Sequence, residues 1–333
     1  MDFVIKIKKI YKIASIKSAT IKNILNMRGV FLVEVLVLDV GGTFIKYALI
    51  NENVEMGEKG KISTPMDTIE SFVDVIGELF EKYKSRISGI AMSLPGRMNS
   101  DTGYLYSGGS LQYNYNINII DILKKRCDVP ISIENDGKCA ALAEAKVGNL
   151  KDIDDGIVVI LGTGIGGGII KDKKLHKGKH FMAGEFSMIF SDGKEFNSDF
   201  NQFWGGQNGV PALCVAVAEA KNLPIEAVDG YKVFEYVNSG DEVSKEIFNK
   251  YCSNMAAQLF NLQYIFDPEK IAIGGGISQQ SILIECIQKN IDKYADKLGN
   301  FLMEKPKVVP CKYFNDSNLI GAYFNYVNKF VRK

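Results

Sequence analysis

The hydrophobic pattern of this chain repeats itself. Val33-Glu-Val-Leu-Val-Leu38 is a short, β-branched apolar run that predicts a strand in a central sheet. It ends in a glycine turn, Asp39-Val-Gly-Gly-Thr43, and a second apolar run reaches Ile50. Gly156 to Leu161, the turn Gly162-Thr-Gly164 and the run Ile165 to Ile170 repeat that order, which suggests an internal duplication. A third short strand stops at Gly274-Gly-Gly276, and the pattern then turns helical from Gln280 to Leu298. Helical stripes also run over Met66 to Tyr83, through Phe72, Ile76 and Leu79, and over residues 243 to 266, with a shorter helix at 117 to 126. Ile87 to Leu94 is a further strand, closed by the Pro95-Gly96 turn. The alternating run from Ile131 breaks on Asn135-Asp136 and continues as an alanine-rich helix.

These turns bring chemistry into view. An acid such as Asp136 at a strand-to-helix corner is most often a helix cap. In an α/β protein the same corner is where ligands collect, because helix amides point into the crevice beyond the strand ends. Gly41, Gly42 and Thr43 leave backbone bare for an anion, Lys46 returns on the next strand, and Asp39 is suited to hold a metal-bound water. Gly162, Gly164 and Gly167 match a dinucleotide fingerprint, but Ile169 to Lys174 reads as strand and hairpin where that fingerprint demands a helix; a phosphate turn is the better reading. Gly274, Gly275 and Gly276 offer a bare platform for a flat ring. The loop Gly103 to Asn114, containing Gly109 and Ser110, carries the hydroxyls and amides that a sugar site needs. Glu185 follows a glycine-broken loop and reads by default as a solvated surface acid. His176 and His180 lack a third ligand nearby and read as exposed loop residues, while Trp204 fits either the core or a ligand's flank.

Composition narrows this further. The 333 residues, 46% hydrophobic and 24% charged, are enough for two domains. A net charge of +1 gives no general attraction to nucleic acid or membrane, so the expected partners are small molecules. Six scattered cysteines without a CxC or CxxC pair predict free thiols in a reducing, cytoplasmic setting. Residues 1–32 form a basic extension in which lysines interrupt every apolar run. They predict neither a signal peptide nor a membrane span. An upstream mis-start with true initiation at Met27, or a simple appended segment, is favoured over a basic arm.

Two phosphate-style turns, a carboxylate between them and a third glycine platform together resemble the ROK sugar kinases, glucokinase-like members of the actin/hexokinase-type ATPase superfamily. The resemblance runs from about Val33 to about Tyr326. It implies an α/β fold of two ribonuclease H-like lobes around a central cleft. The lobes would span 33–131 and 132–316, and a last helix at about 317–333 would return to the first. It implies that Asp39, Gly41, Gly42, Thr43, Lys46, Gly162, Thr163 and Gly164 bind ATP phosphates, with Mg2+, and that Gly274, Gly275 and Gly276 face the adenosine. It places Asn135, Glu185, Gly109 and Ser110 on the sugar and makes Asp136 the general base, kept ionised by a pKa that the helix N-terminus holds low. It also leaves open a homodimer, and a non-catalytic sugar-binding regulator as the alternative function. Two departures stand out. Glu185-Phe-Ser-Met188 replaces the family's Glu-x-Gly-His, and no cysteine-rich loop follows, so structural zinc is not expected. Gly109-Ser110-Leu stands where Pro-Asn-Leu is common. Both fit a zinc-free branch similar to β-glucoside kinases rather than plain glucose kinases.

Overall fold

The buried apolar runs become the centres of two sheets. The computed structural model describes residues 34–191, 193, 195, 199–301 and 304–331; the basic extension read in residues 1–32 lies outside them. Strands β1 (Glu34–Val40), β2 (Phe44–Ile50) and β3 (Met56–Ser63) form an antiparallel meander. Helix α1 (Ile69–Tyr83) then crosses to β4 (Ile87–Leu94), parallel to β1. A small ribbon of β5 (Met98–Asn99), β6 (Tyr104–Leu105) and β7 (Ile117–Asn118), with helix α2 (Ile119–Lys124), leads to β8 (Ile131–Asn135), parallel to β4. The first sheet therefore has the order β3-β2-β1-β4-β8.

The second sheet repeats this plan. β9 (Gly156–Leu161), β10 (Ile165–Lys171) and β11 (Lys174–His176) form the meander. Helices α4 (Trp204–Asn208), α5 (Val210–Ala220), α6 (Gly230–Ser239) and α7 (Glu242–Phe266) occupy the crossover to β12 (Lys270–Gly275). A further helix, Ser281–Leu298, leads to β13 (Val308–Pro310), giving the order β11-β10-β9-β12-β13 with the same senses. The duplication read from the glycine turns is thus a duplication of sheet topology. Helix Ile69–Tyr83 begins later than its apolar stripe because Thr68 caps it, its side chain accepting the Ser71 amide.

Helix α3 (Asp136–Val147) joins the two halves, and its alanines have a reason. One side, Cys139 and Ala143, packs with β1, β4 and the last helix, Ser317–Tyr326. The other, Ala140 and Ala141, packs with Val158, Ile170 and Ala272 of the second sheet. A helix buried on both sides by close neighbours has room only for small residues. Gly321 of the last helix sits against the Cys139 carbonyl, where any Cβ would collide. That last helix packs with residues of β1 and β4, and it runs on into a π-helical turn, Val327–Val331.

Candidate active site

Parallel pairing aligns the carboxyl ends of β1, β4 and β8, so that Asp39 pairs with Ser93, Ser93 with Glu134 and Leu94 with Asn135. This rim is where an open α/β sheet presents its ligands. Asp39 is nearly buried there. Its Oδ1 accepts from Asn318 Nδ2 at 3.0 Å, and Lys46 Nζ lies 3.8 Å from Oδ2. Burial nevertheless raises its carboxyl pKa above the ordinary value, against the pull of Asn318 and Lys46. The turn after it is tied down from outside: Thr64 Oγ1 donates to the Gly41 carbonyl at 2.7 Å, and the Thr64 amide to Thr43. Thr43 and Lys46 stay exposed. Ser110 comes to this turn, its Oγ lying 3.2 Å from where a Gly42 Cβ would be, and Gly109 packs on Pro95-Gly96.

Asn135, not Asp136, caps α3. Its Oδ1 accepts the Lys138 amide at 3.2 Å while its Nδ2 donates to the Gly96 carbonyl at 3.1 Å. The amide expected on a sugar is therefore held at both ends by the framework. Asp136 occupies the first helical position, one Oδ accepting the Gly137 amide at 2.8 Å. Water reaches it from the cleft, yet protein crowds it on the other sides. The expectation of a depressed pKa is corrected: this desolvation outweighs the Gly137 amide, and the like charges of Asp39 and Glu185 add to it, pushing the pKa up to about 6. A helix terminus contributes only partial charges, too little to hold down a crowded carboxylate among other acids.

Glu185 is not a free surface acid. Its Oε1 is 2.8 Å from Nζ of Lys138, a lysine with a side chain only 3% exposed, while Glu185 itself is 33% exposed. The neighbouring Ser187 hydroxyl accepts the Ile165 amide at 2.8 Å and steadies the Gly162–Gly164 turn.

In the second half, the register Leu161–Gly275 brings the Gly162 turn beside the Gly274–Gly276 run. Together they open onto a cavity of about 460 Å³ that is also lined by Thr163, Asp229, Tyr231, Phe234 and Ile277. The glycines divide by role. A side chain on Gly274 would meet Ile160 and Cys311, and Gly275, at φ +97°, would collide with the Leu161 carbonyl. These two serve packing. Gly276 has no atom within 4 Å of its missing Cβ, so its bare backbone faces the cavity. Gly162 is nearly as open, its only such neighbour being the Gly164 carbonyl at 4.0 Å, whereas Gly164 is closed off by Ser187.

Several residues of the site escaped sequence reasoning. Asn318 has only its place at the start of the last helix to signal it. Lys138 had a clear one: a lone lysine in an alanine-rich, two-sided helix. The dinucleotide reading fails as expected, since Gly167 lies within β10 and Asp172-Lys173 turn the chain into β11. His176 and His180 are exposed, and Trp204 is fully buried against Phe186. Among the described residues no group of three or more His, Cys, Asp or Glu could hold a metal ion, and no helix is long and apolar enough to cross a membrane. The six cysteines are free, five of them buried.

Comparison with known proteins gives concordant matches. The model of the ROK family matches residues 35–326. A β-glucoside kinase from Listeria monocytogenes is 30% identical over 294 residues, covering 87% of this chain and 96% of that protein. An N-acetyl-D-glucosamine kinase from Mannheimia succiniciproducens is 27% identical over 309 residues, covering 87% and 98%. Among solved structures, a ROK family protein from Streptococcus pneumoniae TIGR4 in complex with sucrose superposes with a TM-score of 0.80 at 28% identity, covering 89% of this chain and 98% of that one.

Proposed function

The chain belongs to the ROK family, and from that premise we propose that it is an ATP-dependent sugar kinase. It transfers the γ-phosphoryl group to a hydroxyl, the 6-OH in our reading, of a hexose or hexoside. The observation that carries this is Asp136: a cleft carboxylate with a pKa of about 6, between the Asp39 turn and Glu185. A base is most effective when its pKa lies just below the working pH, where it is ionised yet still basic. One Asp136 oxygen is held by the Gly137 amide, and the other has no partner among the described residues. That second oxygen takes the hydroxyl proton as the sugar oxygen attacks.

ATP fits the residues present. The cavity beside Gly162 and Gly276 has bare backbone on its floor and apolar and aromatic side chains, Phe234, Ile277 and the 85%-exposed Tyr231, as walls for a flat ring. Gly41, Gly42, Thr43 and Lys46 from one turn, with Gly162, Thr163 and Gly164 from the other, would face its phosphates. Asp39 would hold Mg2+ through water, the metal neutralising phosphate charge. Asn135 sets the corner, and Glu185, with the loop of Gly109 and Ser110, contacts the sugar. The names of the relatives support a hexoside or amino sugar over free glucose, and we place β-glucosides first. The decisive measurement is ADP release across β-glucosides, amino sugars and hexoses. Sugar-dependent ADP is expected; sugar binding without ADP would make the chain a non-catalytic regulator instead.

A further inference from the structure

A buried lysine in a helix built of alanines calls for an explanation. Lys138 lies two residues after Asp136 on α3, in a part of the helix so tightly joined to β10 that Gly168 has no room for a side chain. Removing an ammonium from water is costly, and a buried ion pair seldom repays that cost in stability. Its single partner among the described residues is Glu185 Oε1, at 2.8 Å. The three residues after Glu185 give it no help. Phe186 is in the core, the Ser187 hydroxyl is engaged by Ile165, and Met188 is exposed. The pair is also lopsided, its lysine sealed in protein and its glutamate open to the cleft. A bridge serving the fold alone has no need to end in solvent beside the proposed base.

We infer that Lys138 is a positioning residue for the sugar. Fixed from below by Lys138 at Oε1, Glu185 presents Oε2, which has no partner among the described residues, as an oriented acceptor for sugar hydroxyls next to Asp136. This rests on the kinase reading and deepens it. The pair also has an electrostatic consequence. The charged groups acting on Asp136 are Asp39 from β1, Glu185 from the loop after β11 and Lys138 from its own helix. The two acids raise its pKa and Lys138 lowers it. The two partners of the pair therefore pull the base in opposite directions.

The test compares wild type, Lys138→Met and Glu185→Gln on the best sugar of the panel. Both variants are expected to raise the sugar KM about 10- to 100-fold, the scale of a lost hydrogen bond to a charged group, with the KM for ATP within about twofold of wild type. The acid limb of kcat/KM should move to higher pH in Lys138→Met and to lower pH in Glu185→Gln. A purely structural bridge would lower thermal stability and leave the sugar KM in place; that result overturns the inference. If Lys138→Met does not fold, Glu185→Gln decides alone, an unchanged sugar KM being the refuting result. Should the wild type bind sugar without turnover, the kinase reading fails while the pair is still judged from sugar Kd in the same variants. A wild type that binds no sugar overturns both.

Discussion

At the scale of single residues, the corner at Asn135-Asp136 divides two jobs that one acid is usually asked to do. Asn135 satisfies the helix amides, so Asp136 is released from capping and can keep an oxygen free in the cleft. Asp136→Asn should bind sugar and ATP nearly as the wild type does, by calorimetry, and lose about 10²- to 10⁴-fold in turnover; a variant with near-normal kcat removes Asp136 as the base. The pKa of about 6 makes two further statements. Activity should fall as pH drops through about 6, because the protonated carboxyl cannot accept the hydroxyl proton. Stability runs the other way. The folded-state pKa lies above the unfolded value, so the protonated form is favoured by folding, and that contribution is lost as pH rises through about 6. At pH 8 the neutral amide of Asp136→Asn relieves repulsion with Asp39 and Glu185. The variant should therefore melt higher than wild type at pH 8, and the gap should close towards pH 5, as measured by thermal denaturation.

At the scale of elements, the glycine turns were legible as turns, but their division of labour was not. Sequence shows three glycines at 274–276 as equivalent. Only the register of β12 against β9 reveals that Gly274 and Gly275 are pressed on Ile160 and Leu161 while Gly276 looks into a cavity. The consequence is a sharp contrast between neighbours. Gly275→Ala forces a side chain into a positive-φ site against a carbonyl, costing about 1–3 kcal/mol from the backbone alone, and should lower the melting temperature. Gly276→Ala has open space around it and should melt like wild type while raising the KM for ATP, since its methyl group stands on the platform proposed for the ring. Equal melting temperatures and equal KM values in the two variants would remove that platform. Helix α3 teaches the same lesson: its alanines were visible, but their cause, a helix packed on both sheets at once, lies in contacts far apart in sequence.

At the scale of the molecule, the duplicated turn pattern did foretell two sheets of one topology, because each repeat carries its own strand-turn-strand signal. What joins the halves was hidden, since it is made of side chains that meet only after folding. Glu134, 1% exposed at the end of β8, accepts the Ser100 hydroxyl at 2.8 Å and the Asn135 amide at 3.0 Å. Lys177, 23% exposed and reaching from just beyond β11 on the second sheet, lies 3.0 Å from Glu134 and donates to Ser100 Oγ at 2.6 Å and Asp101 at 3.3 Å. Lys329 in the closing π-turn donates to the carbonyls of Ser100 and Asp101. Three distant segments thus converge beneath the Asn135-Asp136 corner, and Lys177 is the link supplied by the second half. Removing it leaves a buried carboxylate without its cation, though with two hydrogen-bond donors still in place. Lys177→Met should therefore cost about 2–3 kcal/mol, below the full penalty for an orphaned buried charge. Because Glu134 anchors the amide of Asn135, kcat should fall as well, with the KM for ATP little changed. Glu134→Gln added to Lys177→Met removes the orphaned charge and should recover part of the stability, though not the link. Urea midpoints and initial rates for the single and double variants check this. A single variant with an unchanged midpoint would show that Lys177 is no such link between the halves.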